Sequence, residues 1–217
     1  MKRSLKSFTP QVLLALLAVV SLPVVGFARQ GGGRTIKKYT WKNEPVKIVK
    51  VEVKGAPVGL DQKFAAGDDW LDGLTFRIRN MSHKPIVHIG LEMRFSKFDP
   101  ASTEHPGVII PLSYGGTTPY AERLARTDLP SPRPPLQPGE TVELTFGSME
   151  MLTLNAAQAR FGIPTNIEAI QVTIQRVIFD DDEMWSTGEP MYRDPKNPDR
   201  WIPKSYKLDH PTVGNRL

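Results

Sequence analysis

The chain predicts an all-β fold, an antiparallel β-sandwich with one short helix and an extended C-terminal tail. Three observations lead there. Apolar and polar residues alternate with period two along several short stretches, the pattern of half-buried strands. Glycine, proline and small polar residues separate those stretches as turns do. Helix signals gather in one segment alone.

Before the strands comes an address. "MKRSLK" carries three bases, Val12 to Leu22 is an apolar run, Pro23 breaks it, and Gly26-Phe27-Ala28 offers small residues to a peptidase. That is the layout of a secretory signal peptide over residues 1–28, with an apolar core short for a bilayer. The expectation is a periplasmic or secreted protein with no transmembrane segment after signal removal. A lipid anchor at the cleavage site needs a cysteine, and the chain has none. Residues 29–34, "RQGGGR", read as a flexible leader.

In "VKIVKVEVK" the apolar phase slips between Ile48 and Val49, which predicts a strand with a bulge. "LTFRIRN" aligns Leu74, Phe76 and Ile78. "PIVHIGLEMRF" aligns Val87, Ile89, Leu91, Met93 and Phe95. With "NMSHKP" between them these two read as a hairpin. "VIIPLSY" is an edge strand, because Pro111 has no N–H for a ladder. The proline-rich stretch from Pro119 to Pro138 favours extended backbone and reads as a rigid crossover between sheets. "ETVELTF" aligns Val142, Leu144 and Phe146. "NAAQARFGIP" is the helix, with Asn155 as cap, Gln158 as its capping partner, and Gly162 and Pro164 as stops. "IEAIQVTIQRVIF" puts Ile170, Val172 and Ile174 in phase as a last long strand. The pattern then ends, so residues 35–189 form one predicted domain. Residues 190–217 hold five prolines, six bases, three acids and no periodicity, and read as the tail.

"LTFRIRNMSHKPIVHIGLEMRF" resembles a hairpin common in small immunoglobulin-like or fibronectin-type domains of exported bacterial proteins. "LQPGETVELTF" is similar to the Pro-Gly-led strand of the same domains. The resemblance covers about a fifth of the exported chain. It implies an immunoglobulin-like sandwich and carries over no catalytic or binding residue.

Composition narrows the function. The chain has 28 Lys+Arg and 23 Asp+Glu. Residues 1–28 hold three of the bases and no acid, which leaves 25 bases against 23 acids, a net charge of +2. No concentrated basic face with interleaved aromatics stands out, so a nucleic-acid partner is not expected. Without cysteine there is no thiol chemistry, and the fold rests on its core. A domain of this size buries roughly two-thirds of its unfolded surface.

Two features carry ligand chemistry. "VIFDDDEMWSTGEP" sets Asp180 and Asp182 on one side of an extended backbone, where paired carboxylates suit a hard cation such as calcium. The EF-hand pattern fails there: from Asp180 its glycine position is Trp185 and its closing glutamate is Met191. The alternative is a turn that ends the strand, with Gly188 supplying the conformation. Trp70 in "GDDWLDG" and Trp185 in "DDDEMWSTG" lie among acids, as sugar-stacking platforms do, or else close the core. His83, His88, His105 and His210 show no metal spacing. Asn80-Met81-Ser82 fits the N-glycosylation pattern. The elbow, phosphate-loop and zinc-helix motifs of common enzymes are absent. The expected function is therefore a non-enzymatic exported module for protein interaction or envelope structure, its partner a protein or a cell-envelope polymer. The alternatives are a carbohydrate-binding, lectin-like domain, with or without calcium, and then a hydrolase on a sandwich scaffold.

Overall fold

The computed structural model describes residues 33–95, 107–115 and 133–205. They form two packed sheets and one helix around one hydrophobic core, a β-sandwich. The predicted signal peptide, most of the expected proline-rich crossover and residues 206–217 lie outside the described residues.

Sheet B has four strands in the order β3-β2-β5-β8: β2 (Val46–Val53), β3 (Ala56–Val58), β5 (Leu74–Asn80) and β8 (Thr141–Thr145). In β2 the expected slip is a register shift between Ile48 and Lys50. Val49 is turned out and 46% exposed, while Ile48 and Val51 both stay inside. Lys54 and Gly55 link β2 to β3 with positive φ at both residues, a tight hairpin turn.

Sheet A has eight strands and is centred on β9 (Ala169–Phe179). One edge of β9 is covered by β6 (Ile86–Phe95), which pairs in turn with β7 (Val108–Gly115). Two strands share the other edge. β1 (Gly33–Tyr39) takes Ala169 to Thr173 in the one parallel pairing among the described strands, and β4 (Lys63–Ala65) adds to it. β10 (Glu183–Ser186) takes Arg176 to Ile178, followed by β11 (Glu189–Asp194) and β12 (Asn197–Pro203). β7 pairs with β6 alone and is an edge strand, as Pro111 foretells.

The core joins Leu74, Phe76 and Ile78 of β5 to Ile89, Leu91 and Met93 of β6 and to Ile170, Val172 and Ile174 of β9, all nearly inaccessible. Burying each side chain of this size contributes about 1.5–3 kcal/mol.

Five expectations need correction. β5 and β6 do not form a hairpin, since β5 pairs with β2 and β8 while β6 pairs with β7 and β9. Period two says which residues face the core, and it reads the same whether the next strand lies alongside or in the opposite sheet. The crossing is held by Asn80: its Nδ2 donates to Lys84 O (2.8 Å) and Leu136 O (3.0 Å), and its Oδ1 accepts from Ser82 N (2.9 Å). A shift beside Val87 also puts Ile86 inside and leaves Val87 half-buried.

The helix, α1 (Ser148–Phe161), begins earlier than Asn155. The Glu150 carboxylate accepts the Gly147 N–H at 3.0 Å, half of a capping box that "GSMEM" encodes, since Gly147 has no side chain to return the bond. Its end is as expected, with Gly162 left-handed at φ 65°. The supposed leader reaches into β1, where Arg34 is 1% exposed. Residues 190–203, read as the start of a tail, instead continue sheet A as β11 and β12. Their prolines (Pro190, Pro198, Pro203) sit first or second from a strand end, which masks the strand signal.

Candidate functional site

The acidic turn is where the chain passes from β9 to β10. Asp182 is left-handed (φ 59°), so strand alternation no longer sets the direction of the carboxylates. They part. Asp182 faces Arg193 at 3.0 Å, and Asp181 meets Lys84. Glu183 accepts from Lys84 at 2.7 Å and from Lys204 at 2.6 Å. The Lys84 ammonium also stands 5.7 Å from the centre of the Phe179 ring. Hydrogen bonds to Asp181 and then Glu183 raise the Lys84 pKa. Those from Lys204 and then Lys84 hold Glu183 below the usual carboxylate range. The turn is thus an ionic lock between the β5–β6 crossing, β10 and the residues after β12. Asp180 donates its backbone N–H to Pro85 O (3.3 Å). No three His, Cys, Asp or Glu side chains among the described residues group as metal ligands would.

Neither tryptophan presents a ring to solvent. Trp70 is fully buried, packs edge-on against Phe64 (5.5 Å between ring centres) and donates to Ile167 O at 2.8 Å. Trp185 is 5% exposed and lies opposite Val177. One sits at the approach to β9 and the other near its end, so the fold does not bring them together. Asn80 of the glycosylation pattern is 1% exposed with both amide hydrogens used, which places it beyond a transferase in the folded chain. His88 is buried, and His105 and His210 lie outside the described residues.

Sequence reasoning missed two sites. Beside Trp70, the buried Arg34 donates to Asp68 (2.6 Å), Ile167 O (3.0 Å) and Asn166. It fixes the loop that leads into β9. Asn166 and Ile167 also line a cleft of about 430 Å3 with Phe95, Ile163 and Pro164, and Glu168 is the ionisable group on its wall.

The second site is the outer surface of α1. Leu154 enters the core and the helix packs against β7, which leaves Met149 69% exposed and Leu152 62% exposed. Ala156 and Ala159 continue the same exposed stripe at helical spacing. Phe161 adds a ring that is 60% exposed, with the Arg160 guanidinium 5.2 Å from its centre. The signal was in the sequence. "MEMLTL" carries apolar residues on both sides of a helix, and one side has no core to enter.

Family models, curated proteins and solved structures offer no match to this chain. Among the described residues no helix is long and apolar enough to cross a membrane.

Proposed function

We propose that the protein is an exported, non-catalytic interaction module of the bacterial envelope, and that the outer stripe of α1 is its protein-binding surface. The observation that carries this reading is the exposure of Met149 and Leu152 in the first two turns of α1, on a helix whose other side is anchored by buried Leu154. Apolar side chains held on a rigid helix suit a partner's groove and cost little ordering on binding. The N-terminal layout of charges, apolar run and small residues supports export.

The test is a photo-crosslinking residue at Leu152 in cells, with the adduct followed by blot and fractionation. A single adduct in the envelope fraction, lost in Met149→Asp and unaffected by Lys47→Gln, is the expected result. A chain retained in the cytoplasm, or no adduct at any helix position, overturns the reading.

A further inference from the structure

Sheet A has a second face, turned away from the core, which the strand register arranges in rows. Arg94, Gln171 and Lys37 lie side by side on β6, β9 and β1. The next row is Glu92, Thr173 and Tyr39, and beyond it Gly90 stands beside Arg176. Lys63, opposite Thr35, extends the face onto β4. The residues between these, such as Met93, Leu91, Val172 and Ile36, are buried in the core, which fixes the outward direction of the rows.

These rows carry four cations and two carboxylates: Glu92, 3.7 Å from Arg94, and Glu189, which follows Ser186 in the row of Arg176. Among the described residues Lys37, Lys63 and Arg176 reach no carboxylate. Lys38, one residue along and facing the other way, is bound to Glu44 at 2.6 Å. On the outer face of sheet B, Lys50 and Arg77 share Glu52, and Arg77 also reaches Glu143. Lys47 and Arg79, side by side on that face, reach no carboxylate among the described residues, so sheet B leaves two cations unpaired and sheet A three.

The shape is wide and low. Gly90 has no side chain, and a Cβ there would come within 3.1 Å of Arg176 Cγ, so the Arg176 stem lies across β6. Tyr39 is 46% exposed at the margin, and its ring is set edge-on against Trp41, 4.7 Å between centres at 73°. An aromatic ring fixed before a ligand arrives loses little entropy when a sugar ring stacks on it.

These features select among polyanions. Duplex DNA carries a charge about every 1.7 Å, and single strands are held on ladders of aromatics. Four cations and one exposed tyrosine match neither. A protein interface concentrates apolar side chains at its centre, whereas this face has Gln171 there, beside a Thr173 that its neighbours leave only 6% exposed. We propose that the outer face of sheet A binds an acidic polysaccharide, with Lys37, Arg94 and Arg176 meeting its carboxylates and Tyr39 stacking on a sugar ring. The surface is separate from the outer stripe of α1, and the proposal stands whether or not a protein binds there.

Binding of the protein, expressed from its full chain, to immobilised polygalacturonate tests this. Dextran serves as the neutral polymer, with single-stranded DNA, polyphosphate and anionic phospholipid vesicles as other polyanions. The expected result is salt-sensitive binding to polygalacturonate and none to dextran. Lys37→Glu/Arg176→Glu should weaken it by about tenfold or more, and Lys47→Glu/Lys50→Glu, the same charge change on sheet B, by less than about twofold. Tyr39→Ala should weaken polygalacturonate binding and leave polyphosphate binding unchanged. Equal losses in the two double variants would reduce the effect to overall charge and overturn the proposal. So would an absence of wild-type binding, or a preference for DNA or vesicles. If the glutamate pair melts below the wild type, Lys37→Gln/Arg176→Gln repeats the measurement.

Discussion

Lys84 shows how a surface residue can hold two parts of a chain together. It projects from the crossing between sheets and meets Asp181 and Glu183 at the start of the C-terminal strands. The lock is partly solvated, with Glu183 32% exposed in its side chain, so its contribution is modest. The signs follow from the shifts. Glu183, held below its ordinary value, adds stability that is complete above about pH 4.3 and is lost as pH falls through its lowered pKa. Lys84, raised, adds stability complete below about pH 10.4 and lost as pH climbs through its raised pKa. Glu183→Gln should therefore cost about 1 kcal/mol at neutral pH, or about 2–4 °C in Tm. Thermal melts across pH should show wild type and variant converging in acid. A constant difference down to the lowest pH would sink the assignment. At this scale the sequence was half legible. The cluster of acids is plain in "FDDDE", but Lys84 lies far from it in the chain, and no spacing rule joins a lysine to a turn it meets only after folding.

At the scale of elements, α1 places two leucines in opposite surroundings two positions apart. Leu154 is 1% exposed and Leu152 is 62% exposed. Leu154→Ala should cost about 2–5 kcal/mol, the range for an emptied core site. Leu152→Asp should stay within about 0.5 kcal/mol. Denaturant titration of both variants checks the pair, and a large cost at Leu152 would mean that the stripe is covered by the protein's own chain. Individual strands were well read. The Ile48–Val49 slip, the edge character of β7 and the phase of β9 all came from alternation and from Pro111. Short strands escaped because three or four residues, as in β3, β4 and β10, are too few to establish a period. The first two turns of α1 escape the sequence because Gly147 offers no capping side chain, whereas Asn155 does.

For the molecule as a whole, what matters is that sheet A runs on past Pro190. β11 and β12 lie against β10, and Arg193 and Lys204 reach back to Asp182 and Glu183. A chain ended at Gly188 loses these strands and uncovers the flank of Met184 and Trp185, buried at 7% and 5% exposure. Its Tm should fall by about 10 °C, from roughly 3–5 kcal/mol of lost burial. An unchanged melt would restore the tail as an appendage. Two-sheet architecture was legible because alternation in β2, β5, β6, β8 and β9 demands two apolar faces in contact. The partnering of strands was not. The choice between a hairpin and a crossing at Asn80 depends on contacts with Leu136 that lie far along the chain.

The place of β9 also sets a clock. Its edges receive β1, β6 and β10, so β1 and β6 lack this shared neighbour until residues 169–179 have been made. Thr35 must wait for Ala169. A nascent chain that has emerged only through β8 holds a sheet B that can pair within itself, while β1 and the β6–β7 pair lack their common partner. Folding of sheet A is therefore a late event dominated by distant pairings, in the slow range of milliseconds to seconds typical of such topologies. Until it happens, β1 and the free edge of β6 stay open to any other strand, including those of a neighbouring chain.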